Sequence, residues 1–168
     1  TFNSFIPLPT TYFKSLDGNN KVITIKSFDT SVFTSNLLNL AFAINVAANS
    51  TLKNLTFNYY ELEDIIVDED QYNNVNIAGL AINVYGVVYN CEIITIDINP
   101  NIPNNLTPGI RVSFDSTNDS TDLDEAKRDT TIVKIAGLVI NNHVNGCITN
   151  SRVGGYEFKK VNLNEDGM

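Results

Sequence analysis

The residues best suited to chemistry are carboxylates gathered in two polar stretches. Asp115, Asp119, Asp122 and Asp124, with Glu125 beside them, crowd one stretch, and Asp64, Asp68, Glu69 and Asp70 crowd another. Calcium takes several oxygen ligands from flexible loops, so Asp115, Asp119, Asp122 and Asp124 are the candidate metal ligands. Neither group has the Gly and terminal Glu spacing of an EF-hand loop, and a solvated charged loop is the plainer reading. No other cofactor is indicated. His143, the single histidine, lies in the turn NNHVNG without a Cys or second His at ligand spacing. It reads as a surface turn residue rather than a zinc ligand or a catalytic base.

Polysaccharide lyases and hydrolases need carboxylates together with Arg or Lys on one exposed face. Asp97, Arg111, Arg128 and Arg152 have the right types, but nothing in their spacing places them together. Tyr59, Tyr60, Tyr72, Tyr85 and Tyr89 could stack on sugar rings, with a core or plain surface role as the competing reading. Nucleophile-elbow, HExxH, P-loop and dinucleotide motifs are absent. The expectation is therefore a protein that is not an enzyme. Sequons at Asn49, Asn54, Asn105 and Asn118 permit N-glycosylation in a eukaryotic secretory setting, and an Asn-rich chain produces such triplets by chance. Cys91 and Cys147 allow one bridge between neighbouring segments and leave the redox compartment open.

The elements that carry these residues follow from composition and self-similarity. The 168 residues have a net charge of −8 and a pI near 4.4. One domain is expected, and nucleic acid or an anionic membrane is an unfavourable partner because either needs clustered Lys and Arg. No apolar run reaches the roughly 18 residues of a membrane-spanning helix, which argues against membrane insertion. Asn accounts for 25 residues, and with abundant Ser, Thr and Ile it points to strands and tight turns. The start TFNSF, lacking Met and a signal-like pattern, reads as a processed mature product or as a piece of a longer chain.

Within the chain, NIAGLAINVYGVVYNCEI (residues 76–93) has a variant on either side. LAFAIN, AGLAIN and AGLVIN align Ile44, Ile82 and Ile140 in one column and Asn45, Asn83 and Asn141 in the next. STLKNLTF, GVVYNCEI and GCITNSRV align Leu52 with Val88 and Ile148, then Asn54 with Asn90 and Asn150, then Phe57 with Ile93 and Val153. The last Asn column has spacings of about 36 and then about 60 residues, so a loop inserted at 103–130 is expected between the second and third copies. Residues 1–14, with Pro7 and Pro9, read as an extended lead-in or cap. Asp17-Gly18-Asn19-Asn20 reads as a turn entering a strand.

One copy cannot bury its apolar face alone, but stacked copies can. Stacking in parallel register is expected to make inward ladders of Ile44, Ile82 and Ile140 and of Leu52, Val88 and Ile148. Asn54, Asn90 and Asn150 are expected at equivalent corners, in the left-handed conformation and with linked amides. The fold class expected is all-β, a right-handed parallel β-helix or solenoid, with an antiparallel β-sandwich or jelly roll as the alternative.

The segments IAGLAINVYGVVYNCEI and IAGLVINNHVNGCITNSRV resemble GLUG repeats, whose pattern is a Gly-Leu strand, a Gly turn and an Ile-x-Asn-Cys ending. That family occurs in large surface and secreted proteins, including immunoglobulin A peptidase-like and adhesin-like chains. The resemblance implies a parallel β-helix and an extracellular or cell-surface location. It further implies a structural or adhesive segment acting as a spacer, assembly or binding surface. The partners expected are further repeats of the same longer chain or proteins of a surface assembly, with carbohydrate as another. The alternatives are a carbohydrate-active enzyme, a non-catalytic domain of a secreted peptidase, and a viral or phage fibre.

Overall fold

Short β-branched segments punctuated by Asn and Gly turns make strands throughout a computed structural model of the chain. The structure describes residues 1–11, 13–33, 36–60, 62–63, 65–68, 71–95, 111–115, 132–154 and 159–162. The strands are β1 (Leu8–Thr11), β2 (Ser15–Thr24), β3 (Leu37–Leu40), β4 (Ala43–Val46), β5 (Thr51–Asn58), β6 (Ile65–Asp68), β7 (Asn74–Ala78) and β8 (Ala81–Val84). They continue as β9 (Val87–Tyr89), β10 (Glu92–Ile94), β11 (Arg111–Asp115), β12 (Ile132–Ala136), β13 (Val139–Asn142), β14 (Cys147–Thr149), β15 (Arg152–Val153) and β16 (Lys159–Asn162).

These strands form four separate sheets. One has the order β1-β4-β8-β13, a second β14-β9-β5-β10-β15 with β2 also on β5, a third β16-β11-β6 and a fourth β12-β7-β3. The expectation of a right-handed parallel β-helix is corrected by this arrangement. Among the described residues the fold is all-β with parallel sheets of four, six, three and three strands, and it is not a closed solenoid. Most strands are only a few residues long, so each hydrogen-bonded ladder ends at the next turn instead of running on around a coil. The antiparallel sandwich is corrected as well, because every strand pairing among the described residues is parallel.

Within the sheets the register sets like against like. Leu52 is opposite Val88 and Val88 opposite Ile148. Phe57 is opposite Ile93 and Ile93 opposite Val153. Asn45 is opposite Asn83 and Asn83 opposite Asn141. Leu38, Leu40, Leu52, Leu55, Phe57, Ile77, Val88 and Ile93 are fully buried in the main core. At the usual ~1.5 to 3 kcal/mol per buried large side chain, such columns are the main drive for stacking. Aromatic rings join them: Phe42 lies 4.7 Å from Phe57 and 5.6 Å from Phe5, ring centre to ring centre.

Three segments differ from the sequence reading. The Ile44, Ile82 and Ile140 column does not join that core; it packs with Ala41 and Ala78 in a small separate cluster. The cause is strand alternation, since Ala43 and Ala81 face the main core and the next residue must face away. Within the expected lead-in or cap at 1–14, residues 8–11 form β1, which pairs with β4 at the edge of its sheet. Asp17-Gly18-Asn19-Asn20 does not precede a strand but lies inside β2, where the register with β5 slips between Asp17 and Lys21. Asn19 and Asn20 have φ of 48° and 57°, the left-handed geometry that a bulge requires and that Asn tolerates.

Candidate functional site

The feature that recurs at one place in the stack is an Asn. Asn54, Asn90 and Asn150 have φ of 54°, 50° and 48°. Asn90 and Asn150 follow β9 and β14, and Asn54 lies inside β5 between its stretches paired with β9 and with β10; Asn accepts this conformation because its short amide can bond locally. Their amides are linked: Asn90 Nδ2 donates to Asn54 Oδ1 at 2.8 Å, and Asn150 Nδ2 donates to Asn90 Oδ1 at 3.1 Å. Asn54 Nδ2 in turn donates to Asp17 Oδ1 at 2.9 Å. Asp17 also accepts the Asn19 backbone N–H and pairs with Lys53 Nζ at 3.1 Å. The Asn54 amide, the Asn19 N–H and Lys53 hold its carboxyl at about 2, well below the usual 3.8.

A second amide ladder runs along β4, β8 and β13. Asn141 Nδ2 donates to Asn83 Oδ1 at 2.8 Å, Asn83 Nδ2 to Asn45 Oδ1 at 2.9 Å, and Asn45 Nδ2 to the Pro9 carbonyl at 3.0 Å. Asn76 Nδ2 donates to Asn39 Oδ1 at 2.8 Å in a shorter third ladder. His143 sits beside the second ladder, with Nε2 3.3 Å from Asn83 Oδ1 and its ring stacked on Tyr85 at 4.0 Å.

Next to the first ladder lies a polar groove of about 290 Å³, lined by Asn20, Thr56, Asn90, Cys91, Glu92, Asn150 and Arg152. Glu92 and Arg152 are opposite one another on β10 and β15, and Arg152 Nε donates to Glu92 Oε1 at 2.7 Å. This contact raises the Arg152 pKa further. The groove therefore offers amides, a hydroxyl and one carboxylate–guanidinium pair, a set that can hydrogen-bond a polar ligand such as a sugar. Glycoside hydrolysis takes two carboxylates flanking the bond; among the described lining residues Glu92 provides one. The Cys91 thiol is buried beneath the ladder, and its burial pushes its pKa up.

Of the residues singled out from sequence, Arg152 is brought to the groove and Arg111 begins β11. Asp115 ends β11 opposite Asp68 of β6 along the backbone. Asp64, Glu69, Asp70, Asp97, Asn105, Asn118, Asp119, Asp122, Asp124, Glu125, Arg128 and most of the loop at 103–130 lie outside the described residues. Among the described residues no three His, Cys, Asp or Glu side chains gather as a metal site. Tyr59 and Tyr72 are core residues, with Tyr59 Oη donating to the Gly79 carbonyl at 2.5 Å. Tyr85 and Tyr89 are exposed, and Tyr60 is half-buried. Asn49 occupies an exposed turn, whereas Asn54 is tied into the ladder. Cys91 and Cys147 are both free thiols. No described helix is long and apolar enough to cross a membrane.

Sequence reasoning missed Glu92, since nothing local marks a partner 60 residues away, and Thr56, which comes beside Glu92 only through the pairing of β5 with β10. The available signal was the alignment itself, which sets Glu92 over Arg152 once the Asn columns are matched. Comparison with protein-family models, curated proteins and solved structures gives no match for this chain.

Proposed function

We propose that this chain is a structural or adhesive segment of an extracellular or cell-surface protein, serving as a stiff spacer with a binding or assembly surface. The observation that carries the reading is the use of its polar side chains. The Asn54–Asn90–Asn150 and Asn45–Asn83–Asn141 amides hydrogen-bond to one another along the stack, and Glu92 is held by Arg152. Groups engaged in this way stiffen a framework, since linked hydrogen bonds reinforce one another.

A second reading, carbohydrate recognition in the groove beside Asn90, is favoured by its amide and ion-pair lining. One experiment separates binding, catalysis and pure structure. The chain is incubated with a panel of acidic and neutral polysaccharides while binding and released reducing ends are both measured. The structural reading expects no release, and any binding weakened by Arg152→Ala assigns adhesion to the groove. Release of reducing ends that Glu92→Gln abolishes would replace it with a carbohydrate-active enzyme.

A further inference from the structure

We infer that the end of the stack formed by β12, β13, β14 and β15 is a docking face for one more parallel β-layer. Its occupant is a partner segment that carries Asn at the two ladder columns and an amide or carboxylate oxygen over Lys134. This deepens the structural reading above by naming what the assembly surface takes.

The two ends of the stack are built differently. At the first end, β1 contains Pro9, which has no N–H to offer a further strand, and β2 is bulged over Gly18 to Asn20. Proline and bulges are the devices by which edge strands are blunted. At the other end β12, β13, β14 and β15, among the described residues, each pair on one side only, without a register slip and without proline. Their side chains are the uncovered members of columns that are sealed one layer below. Val75, Ile77 and Ile93 have no exposed surface, while Val133, Ile135 and Val153 opposite them are 37%, 37% and 40% exposed.

The amide ladders say what would cover this face. Every ladder amide donates toward the first end, so each Oδ1 accepts from the layer beyond it. Asn141 and Asn150 donate in the same sense, which turns their own Oδ1 atoms toward a donor from a following layer. Lys134 stands over Asn76 as a cation on the third column. A parallel layer with Asn at the two columns continues all of these contacts. A second copy of this chain does not, since its first layer would bring Pro9 and the Asp17 carboxylate against open carbonyl oxygens.

The test uses Cys147, an exposed thiol on β14 whose register partner one layer below is Val87. A peptide with the sequence of residues 74–95 carries Cys91→Ser and Val87→Cys, the new thiol activated as a 2-thiopyridyl disulfide. Attack by the Cys147 thiolate forms the protein–peptide disulfide and expels thiopyridone, whose absorbance gives the rate. In-register docking should make capture at least about tenfold faster than with a control peptide carrying Tyr85→Cys instead, through a raised effective concentration. Asn141→Ala/Asn150→Ala protein, checked by circular dichroism to be folded, should lose that preference. Equal rates for the two peptides on wild-type protein would overturn the inference. So would self-association of the chain that the same double substitution abolishes, because the face would then belong to a second copy. Neither result touches the polysaccharide experiment, so the two readings fail separately.

Discussion

Asn90 combines three requirements in one side chain. It occupies a left-handed backbone position, donates to Asn54 and accepts from Asn150. Alanine there loses about 1 kcal/mol for each amide bond and strains the backbone by roughly 1–2 kcal/mol more. Asn90→Ala should therefore destabilise the fold by about 3–4 kcal/mol, and Asn90→Gly by distinctly less, because glycine relieves the backbone strain. Urea unfolding of both variants checks this; a glycine variant as unstable as the alanine one would remove backbone strain from the account. Asp17 at the foot of the ladder makes a pH prediction. Its carboxyl is depressed in the folded state, so its contribution is present above the ordinary value of 3.8 and is lost as pH falls toward about 2. The difference in melting temperature between wild type and Asp17→Asn should shrink over that window and stay flat above about pH 5. At this scale the Asn positions were legible, because one residue type recurring in matched columns marks a backbone requirement that the copies share. The bulge at Gly18 to Asn20 was not, since Asp, Gly and Asn suit a turn and a bulge through the same positive φ.

Between elements, the turn joining β8 to β9 shows how closely successive layers approach. A Cβ placed on Gly86 would collide with the carbonyl oxygens of Ala47 and Ser50, both backbone atoms that cannot swing aside. Gly86→Ala should cost about 1–3 kcal/mol, the usual range for overpacking. Gly154→Ala, where a Cβ would meet nothing within 4 Å, should stay within about 0.5 kcal/mol of wild type. Thermal melts of the pair test the close approach directly. The strands themselves could be read from the aligned columns, and Leu52, Val88 and Ile148 do pack into or against the main core. What the columns could not reveal is where hydrogen bonding stops between sheets, because self-similarity fixes which residues stack and not how the turns divide the ladders. The same limit applies to the Ile44 column, whose face depends on whether Ala43 or Ile44 points at the core. The groove was the least legible feature, since Glu92 and Arg152 meet only through a pairing across 60 residues.

For the whole molecule, stability should be graded along the stack instead of uniform. Strands β4, β5 and β8 are flanked on both sides and lie over buried Leu52, Phe57 and Val84. Among the described residues β12 to β15 have one neighbour each, and most of their side chains are exposed. Local opening is easiest where few apolar contacts oppose it, so exchange-resistant amides mark the interior of such a structure. Native-state hydrogen exchange should accordingly find the slowest amides in Ala81–Val84 and Thr51–Asn58, with β13 and β14 exchanging at least about a hundredfold faster. β1, although also an edge strand, should exchange more slowly than β13, because its ends are held through the Phe5 ring, Asn45 and Ser50. If β13 and β14 were as protected as β8, the last layer would already be closed and no docking face would exist. If the peptide of residues 74–95 slowed exchange in β12, β13 and β14 alone, the added layer would be located by backbone amides, independently of any cysteine chemistry.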